Sequence, residues 1–202
     1  IRTKWVSDQL HRLTRGRFSK VICFFTGHPV DVMTGEVVTD ETEARLPGPL
    51  PLTLARNYYS RSRYDGPLGP GWTHTLDASV TAGDAEVILR LPDGRELAYD
   101  PLAEGASVWD DIERHTFERS GARYRVTTHD GITYTFEAVD ARTHPRTPGL
   151  HPLRADANHP THRLTRISDR CGNAILARYE HGRFVGVVDA LGRPLEVRWT
   201  PD

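Results

Sequence analysis

The last forty residues repeat themselves, and that repeat confines the chain to a stacked β structure. Set Leu164 to Asp202 in two rows twenty residues apart and Leu164 falls on Phe184, Ile167 on Val187, and Asp169 on Asp189. Gly172 then falls on Gly192, Ile175 on Leu195, Arg178 on Arg198, and Tyr179 on Trp199. Each unit reads as strand, Asp-x-x-Gly turn and strand, ending in an aromatic. The Asp can accept backbone amides of its own turn, and the Gly takes the left-handed position. A single hairpin cannot bury its apolar face in water. The unit therefore needs a neighbour of its own kind, and stacking follows. The second copy stops at Asp202 with an uncovered edge, and such an edge invites pairing. The repeat is expected to continue past this chain.

The segment before the repeat has the same texture. Val30 and Val32 alternate, Thr34-Gly35 turns, and Val37-Val38 returns. Leu50, Leu52, Leu54 and Tyr58 mark a half-buried strand, with Pro51 arguing for an edge or a strand start. Gly and Pro crowd residues 60–71, which predicts a tightly turned, rigid loop, and Trp72 is expected to anchor it on a core. Asp93-Gly94 and Asp130-Gly131 stand between alternating runs that include Tyr99 and Tyr134. They predict two-residue hairpin turns, which need positive φ. Residues 138–162 hold four prolines and four histidines with few apolar positions, and read as a surface loop or insertion. At the other end Trp5, Val6, Leu10 and Leu13 stand at near-helical spacing, so a short N-terminal helix is expected, ending at Gly16.

Composition excludes several classes of function. With a net charge of −1, nothing asks for nucleic acid or an anionic membrane. Basic residues are dense only at His11, Arg12, Arg15, Arg17 and Lys20, which suits a solvated face, a leader or a docking patch. The longest apolar run, residues 21–25, is far short of the roughly 18 residues of a membrane span. Cys23 and Cys171 make no disulfide framework, and Cys23, flanked by Ile and Phe, reads as a buried thiol that favours a reducing compartment. The chain opens on Ile1 rather than Met, which points to a processed or truncated product.

The constellations that could carry chemistry are poor. His144, His151, His159 and His162 tempt a metal reading, but three of them precede proline and no cysteine joins them. Cys23 with His28 lacks the setting that lowers a thiol pKa. Asp110 and Asp111 are adjacent, so on a strand they face opposite sides; with Glu113 they are expected to form a solvated turn. Ser60, His74 and Asp77 can be written as a triad, but no Gly-x-Ser-x-Gly elbow supports it. Gly66 to Gly71 is no phosphate loop, because two prolines remove amide donors and no Lys-Ser/Thr follows. No cofactor and no catalytic residue is expected.

The repeat units Arg163-Leu-Thr-Arg-Ile-Ser-Asp-Arg-Cys-Gly-Asn and Gly182-Arg-Phe-Val-Gly-Val-Val-Asp-Ala-Leu-Gly-Arg resemble the YD repeats of Rhs proteins. Gly27-His-Pro-Val-Asp-Val-Met-Thr-Gly-Glu-Val-Val38 resembles the opening of the Rhs conserved region. Arg56-Asn-Tyr-Tyr-Ser-Arg-Ser with Gly66-Pro-Leu-Gly-Pro-Gly-Trp72 is similar to the block that follows it. The blocks stand in the family's order. The resemblance implies a large polymorphic toxin, often delivered by a type VI secretion system between competing bacteria. In such proteins the repeats coil into a hollow β-shell around a variable C-terminal toxin. The long array, the Asp-rich self-cleavage block and the toxin are absent here, so none of those activities carries over to a residue of this chain.

The expectation is therefore an all-β chain of stacked antiparallel hairpins. Residues 1–26 form a leader or docking segment, 27–162 the conserved β region, and 163–202 the first repeats. Its role is structural, opening a shell that encloses a toxin. The partners implied are the rest of that shell, its C-terminal toxin, and a secretion component or chaperone. The location implied is the bacterial cytoplasm before export, then outside or within a target cell. Residues expected to carry the structure are Gly27, Pro29, Gly35, Tyr58, Gly66, Gly69, Gly71, Trp72, Asp169, Gly172, Tyr179, Asp189, Gly192 and Trp199. Two other readings stay open: a binding module for a secretion component, chaperone or glycan, and an autoprotease acting in N-terminal processing.

Overall fold

Alternating apolar and polar residues set nearly every element of the computed structural model, which describes residues 30, 35–138, 161–181 and 183–198. The expected N-terminal helix, residues 139–160 of the histidine-rich loop, Gly27, Pro29 and Trp199 lie outside the described residues, while Ala138 and His162 belong to strands. The described part is antiparallel β apart from one 3-10 turn, Thr75–Asp77. No described helix is long and apolar enough to cross a membrane.

Strands β1 (Val38–Leu46) and β2 (Leu52–Tyr59) form a long pair with a bulge between Thr42 and Ala44. The Gly-rich stretch folds into a minimal hairpin, β3 (Asp65–Gly66) and β4 (Gly69–Pro70), and β5 (Trp72–His74) returns to β2. A three-stranded sheet in the order β1-β2-β5 results. After the 3-10 turn, β6 (Ser79–Ala82), β7 (Val87–Arg90) and β8 (Glu96–Tyr99) make a first meander. A second runs through β9 (Ser107–Asp110), β10 (His115–Ser120), β11 (Arg123–Thr128) and β12 (Thr133–Ala138). The repeat supplies β13 (His162–Ser168), β14 (Ala174–Glu180), β15 (Arg183–Val188) and β16 (Pro194–Glu196). These four lie side by side as two neighbouring hairpins in one sheet.

Strand β13 joins the meanders. One edge pairs with β12 along its length. The other edge is shared: His162 and Arg163 pair with β6, while Arg166 to Ser168 pair with β14. Two strands cannot occupy one edge, so the sheet forks at Leu164. The backbone groups at the fork still find partners, as buried polar groups must. Leu164 N–H donates to Ala78 O at 3.3 Å, and Leu164 O accepts the Tyr179 hydroxyl at 2.9 Å.

From the fork, the path β8-β7-β6-β13-β12-β11-β10-β9 contains eight strands and curls on itself. Its inward face buries Val80, Leu89, Leu97, Phe117, Phe136 and Leu164. Each such side chain contributes about 1.5–3 kcal/mol relative to exposure. The stack Tyr99–Phe117–Tyr124, with ring centroids 4.9 and 5.5 Å apart, runs through that core.

The hairpin turns differ from the expected two-residue form. In Leu91–Arg95, Thr128–Ile132, Asp169–Asn173 and Asp189–Arg193, the first N–H donates to the fifth carbonyl and the Gly N–H donates back to the first. Gly94, Gly131, Gly172 and Gly192 all take φ between 79° and 88°, while the Asp before Gly stays at negative φ. This is the three-residue turn closed by a glycine bulge. The repeat thus reuses the turn already present in the upstream meanders.

Candidate functional site

The two repeat turns are built alike. The Asp169 carboxylate accepts from Cys171 N–H at 2.9 Å, Asn173 N–H at 2.9 Å and the Asn173 side-chain amide at 2.7 Å. The Asp189 carboxylate accepts from Leu191 N–H at 3.0 Å, Arg193 N–H at 2.8 Å and the Arg193 guanidinium at 2.6 Å. Bonds from Asn173 hold Asp169 below the usual carboxylate range. For Asp189 burial pushes upward, but the bonds from Arg193 and the turn amides outweigh it and the net direction is down. Both carboxylates hold their turn as anions. A Cβ at Gly172 or Gly192 would meet nothing within 4 Å, so the glycine is needed there for its positive φ alone. Arg193 also donates to Pro47 O at 2.6 Å, tying the second turn to the loop between β1 and β2.

The loop before β5 is anchored differently from expectation. Trp72 is half-buried and packs outside the core, against Tyr58 at 5.1 Å and beneath the Arg56 guanidinium at 5.0 Å. The inward anchors are its neighbours. Tyr64 is buried with the Arg90 guanidinium 3.5 Å from its ring centre, and Tyr59 donates its hydroxyl to Asp93 O at 3.0 Å. Alternation explains the shift: Trp72 points one way and the buried Thr73 the other. Burial pushes the Tyr64 hydroxyl up to about 12. Gly71 earns its place by close approach, since a Cβ there would sit 2.9 Å from Tyr59 O and 2.8 Å from the Tyr58 ring. Gly66 likewise lies under the Tyr64 ring, whereas Gly35 and Gly69 take positive φ in open space.

A seam that sequence reading missed closes the curled sheet between β8 and the β9–β10 turn. The Tyr99 hydroxyl donates to Asp110 Oδ2 at 2.7 Å and lies 2.9 Å from His115 Nε2. Asp110 also accepts from Ile112 N–H and Glu113 N–H. Next to it, Arg95 makes a two-pronged contact with Glu113 at 2.7 and 3.0 Å and a further bond to Asp93 at 2.8 Å. Burial works against the Arg95 charge, but the carboxylates more than compensate and its pKa lies above the ordinary arginine value. This corrects the expected solvated turn, because Asp110 and Glu113 are both buried in pairs. Asp111 does face the opposite way, where it accepts from the Trp109 indole at 2.6 Å. Nothing local marks the seam in sequence, since Arg95 and Glu113 stand 18 residues apart.

The remaining constellations have structural partners. His74 and Asp77 meet at 3.0 Å, but as a cap on the 3-10 turn, and Ser60 Oγ accepts from Val37 N–H instead. His162 sits 2.7 Å from Thr161 Oγ1 and edge-on to Tyr124. Among the described residues no group of three His, Cys, Asp or Glu is arranged to hold a metal. Cys23, His28, His144, His151 and His159 lie outside them.

Comparison with known proteins adds likeness to a domain family and to named relatives. The family described as "Domain of unknown function (DUF6531)" matches residues 27–99. Double-stranded DNA deaminase toxin A of Burkholderia cenocepacia (strain H111) is 30% identical over 116 residues, covering 56% of this chain and 8% of that protein. Probable deoxyribonuclease RhsB of Dickeya dadantii (strain 3937) is 32% identical over 87 residues, covering 41% of this chain and 6% of that protein. The chain thus spans a small fraction of the length of these relatives. The domain match and the relatives support the resemblance of this chain to the conserved region of Rhs-family toxins.

Proposed function

We propose that this chain is the structural opening segment of an Rhs-type β-cage that encloses and carries a C-terminal toxin. The observation that supports it best is continuity. The repeat hairpins extend the upstream sheet strand by strand through the β12–β13 ladder, using the same turn. In this reading residues 27–162 start the wall and residues 163–202 are its first added rungs. The outer edge of β16 takes the next hairpin, and a continuous ladder leaves no free edge toward the cargo.

The mechanism is containment. The segment performs no catalysis, and the chemistry resides in the toxin at the far end. The deaminase and deoxyribonuclease named for the relatives belong to those proteins. The partners are the rest of the wall, the toxin, and a secretion component or chaperone. The full-length protein is made in the bacterial cytoplasm and then delivered into a competing cell, through a type VI system.

Limited proteolysis of the full-length protein tests the reading. The C-terminal toxin should resist cleavage in the wild type, and variants that break the β8–β9 seam should lose that resistance. A toxin cleaved as fast within the intact protein as when free would overturn it.

A further inference from the structure

The sheet face opposite the core carries a feature that the wall role does not use. A groove of about 850 Å³ opens there across β10 to β14. Arg123, Arg125, Arg166 and Arg178 line it, with Glu137 the one acid in the lining. That is a local excess of positive charge on a chain whose net charge is −1. Two of the four cations are already used: Arg123 pairs with Glu137 at 2.8 Å and Arg125 with Glu118 at 2.7 Å. Arg166 and Arg178 are exposed and make no ion pair among the described residues.

We propose that this groove docks an extended polypeptide segment carrying acidic side chains at alternating positions. Register supports the spacing. Arg166 lies opposite Leu176, the last β13–β14 pair, and Arg178, two residues farther along β14, lines the same groove. Diagonal positions of a sheet lie roughly 7–8 Å apart. Residues i and i+2 of an extended chain lie roughly 6.6 Å apart on one face, close to that spacing. Two carboxylates on alternate residues can thus reach both guanidiniums, and Arg binds carboxylates in two-pronged geometry.

The other lining groups favour a polypeptide over a polynucleotide. Leu176, 41% exposed beside Arg178, offers apolar contact that a phosphodiester backbone cannot use. The hydroxyls of Thr133 and Thr135 can both donate and accept, which matches the mixed groups of a peptide backbone. The proposal goes beyond containment, which assigns this face no partner.

Fluorescence anisotropy on the full chain tests it. The probes are a labelled peptide alternating Glu and Thr, one alternating Lys and Thr, and a single-stranded oligonucleotide. The Glu peptide should bind, and rising salt should weaken it. The double variant Arg166→Gln/Arg178→Gln should weaken it by about tenfold or more, since it removes both unspent charges. Both residues are exposed, so the melting temperature should not move. Failure of the Glu peptide to bind, equal affinity in the variant, or preference for the Lys peptide or the oligonucleotide would overturn the proposal.

Discussion

The meanders between Ser79 and Ala138 and the hairpins between His162 and Glu196 share one turn but finish their sheets in different ways. The meanders bring β8 against the β9–β10 turn and close with buried side chains, Tyr99 with Asp110 and His115, and Arg95 with Glu113. The repeat hairpins close nothing. The carboxylate bonds that shape their turns stay within five residues, Asp169 to Asn173 and Asp189 to Arg193; Arg193 reaches farther to Pro47 O and Tyr179 to Leu164 O, and their strands add to the sheet. Closure thus depends on distant partners that must meet in one geometry, whereas extension needs only a local turn that any copy carries. A region of the second kind can be repeated.

Substitutions can break or sharpen that contrast. The largest effect is expected from Phe117→Ala in the closed core, about 3–5 kcal/mol by denaturant unfolding, because Phe117 is 0% exposed. At the seam, Arg95→Ala leaves buried Glu113 without its main partner and should cost about 3 kcal/mol. The double change Arg95→Met/Glu113→Leu should recover most of that loss, as apolar replacement of a buried pair often does. Wild-type stability for Arg95→Ala would show that the seam does not close the sheet. Trp72→Ala should cost about 2 kcal/mol, less than a fully buried aromatic, because Trp72 is only partly buried and packs outside the core. A loss as large as that of Phe117 would return Trp72 to the role of core anchor.

The repeat should respond more gently and evenly. Gly172→Ala and Gly192→Ala should each cost about 1–2 kcal/mol, the strain of a left-handed Ala, since neither Cβ meets another atom. Widely different losses would mean that the two rungs are not equivalent. The smallest effect concerns pH. Asp169 and Asp189 lie below the usual carboxylate range in the folded chain, against roughly 3.9 when unfolded. Their contribution is complete above the unfolded value and is lost as pH falls through the lower folded values. Melting between pH 5 and pH 2, on the order of the carboxylate range, should therefore show a smaller acid-induced drop in Asp169→Asn than in the wild type. An identical drop would remove the ionic role from the turn.

The repeat hairpins were the most legible part of the chain, because the bonds that shape their turns are local. The offset of twenty residues located both turns, and their glycines and aspartates do what short-range chemistry requires. The Gly-rich loop was legible as a loop, but its anchor was not. Sequence alone could not say which of Tyr59, Tyr64 and Trp72 points inward, since that depends on which sheet face the core covers. Asp93-Gly94 announced a turn but not its type, because Asp-Gly serves the two-residue and the bulged form alike.

By itself, then, the sequence determined the β class, the hairpin order, the repeat and the family blocks at Gly27, Trp72 and Asp169. These rest on periodicity and turn chemistry within about twenty residues. The tertiary structure alone decided that β13 forks between β6 and β14, that β8 curls onto the β9–β10 turn, and that Asp110 and Glu113 are buried in pairs. Those outcomes depend on strands far apart in the chain competing for one edge and one core. No local pattern encodes that outcome.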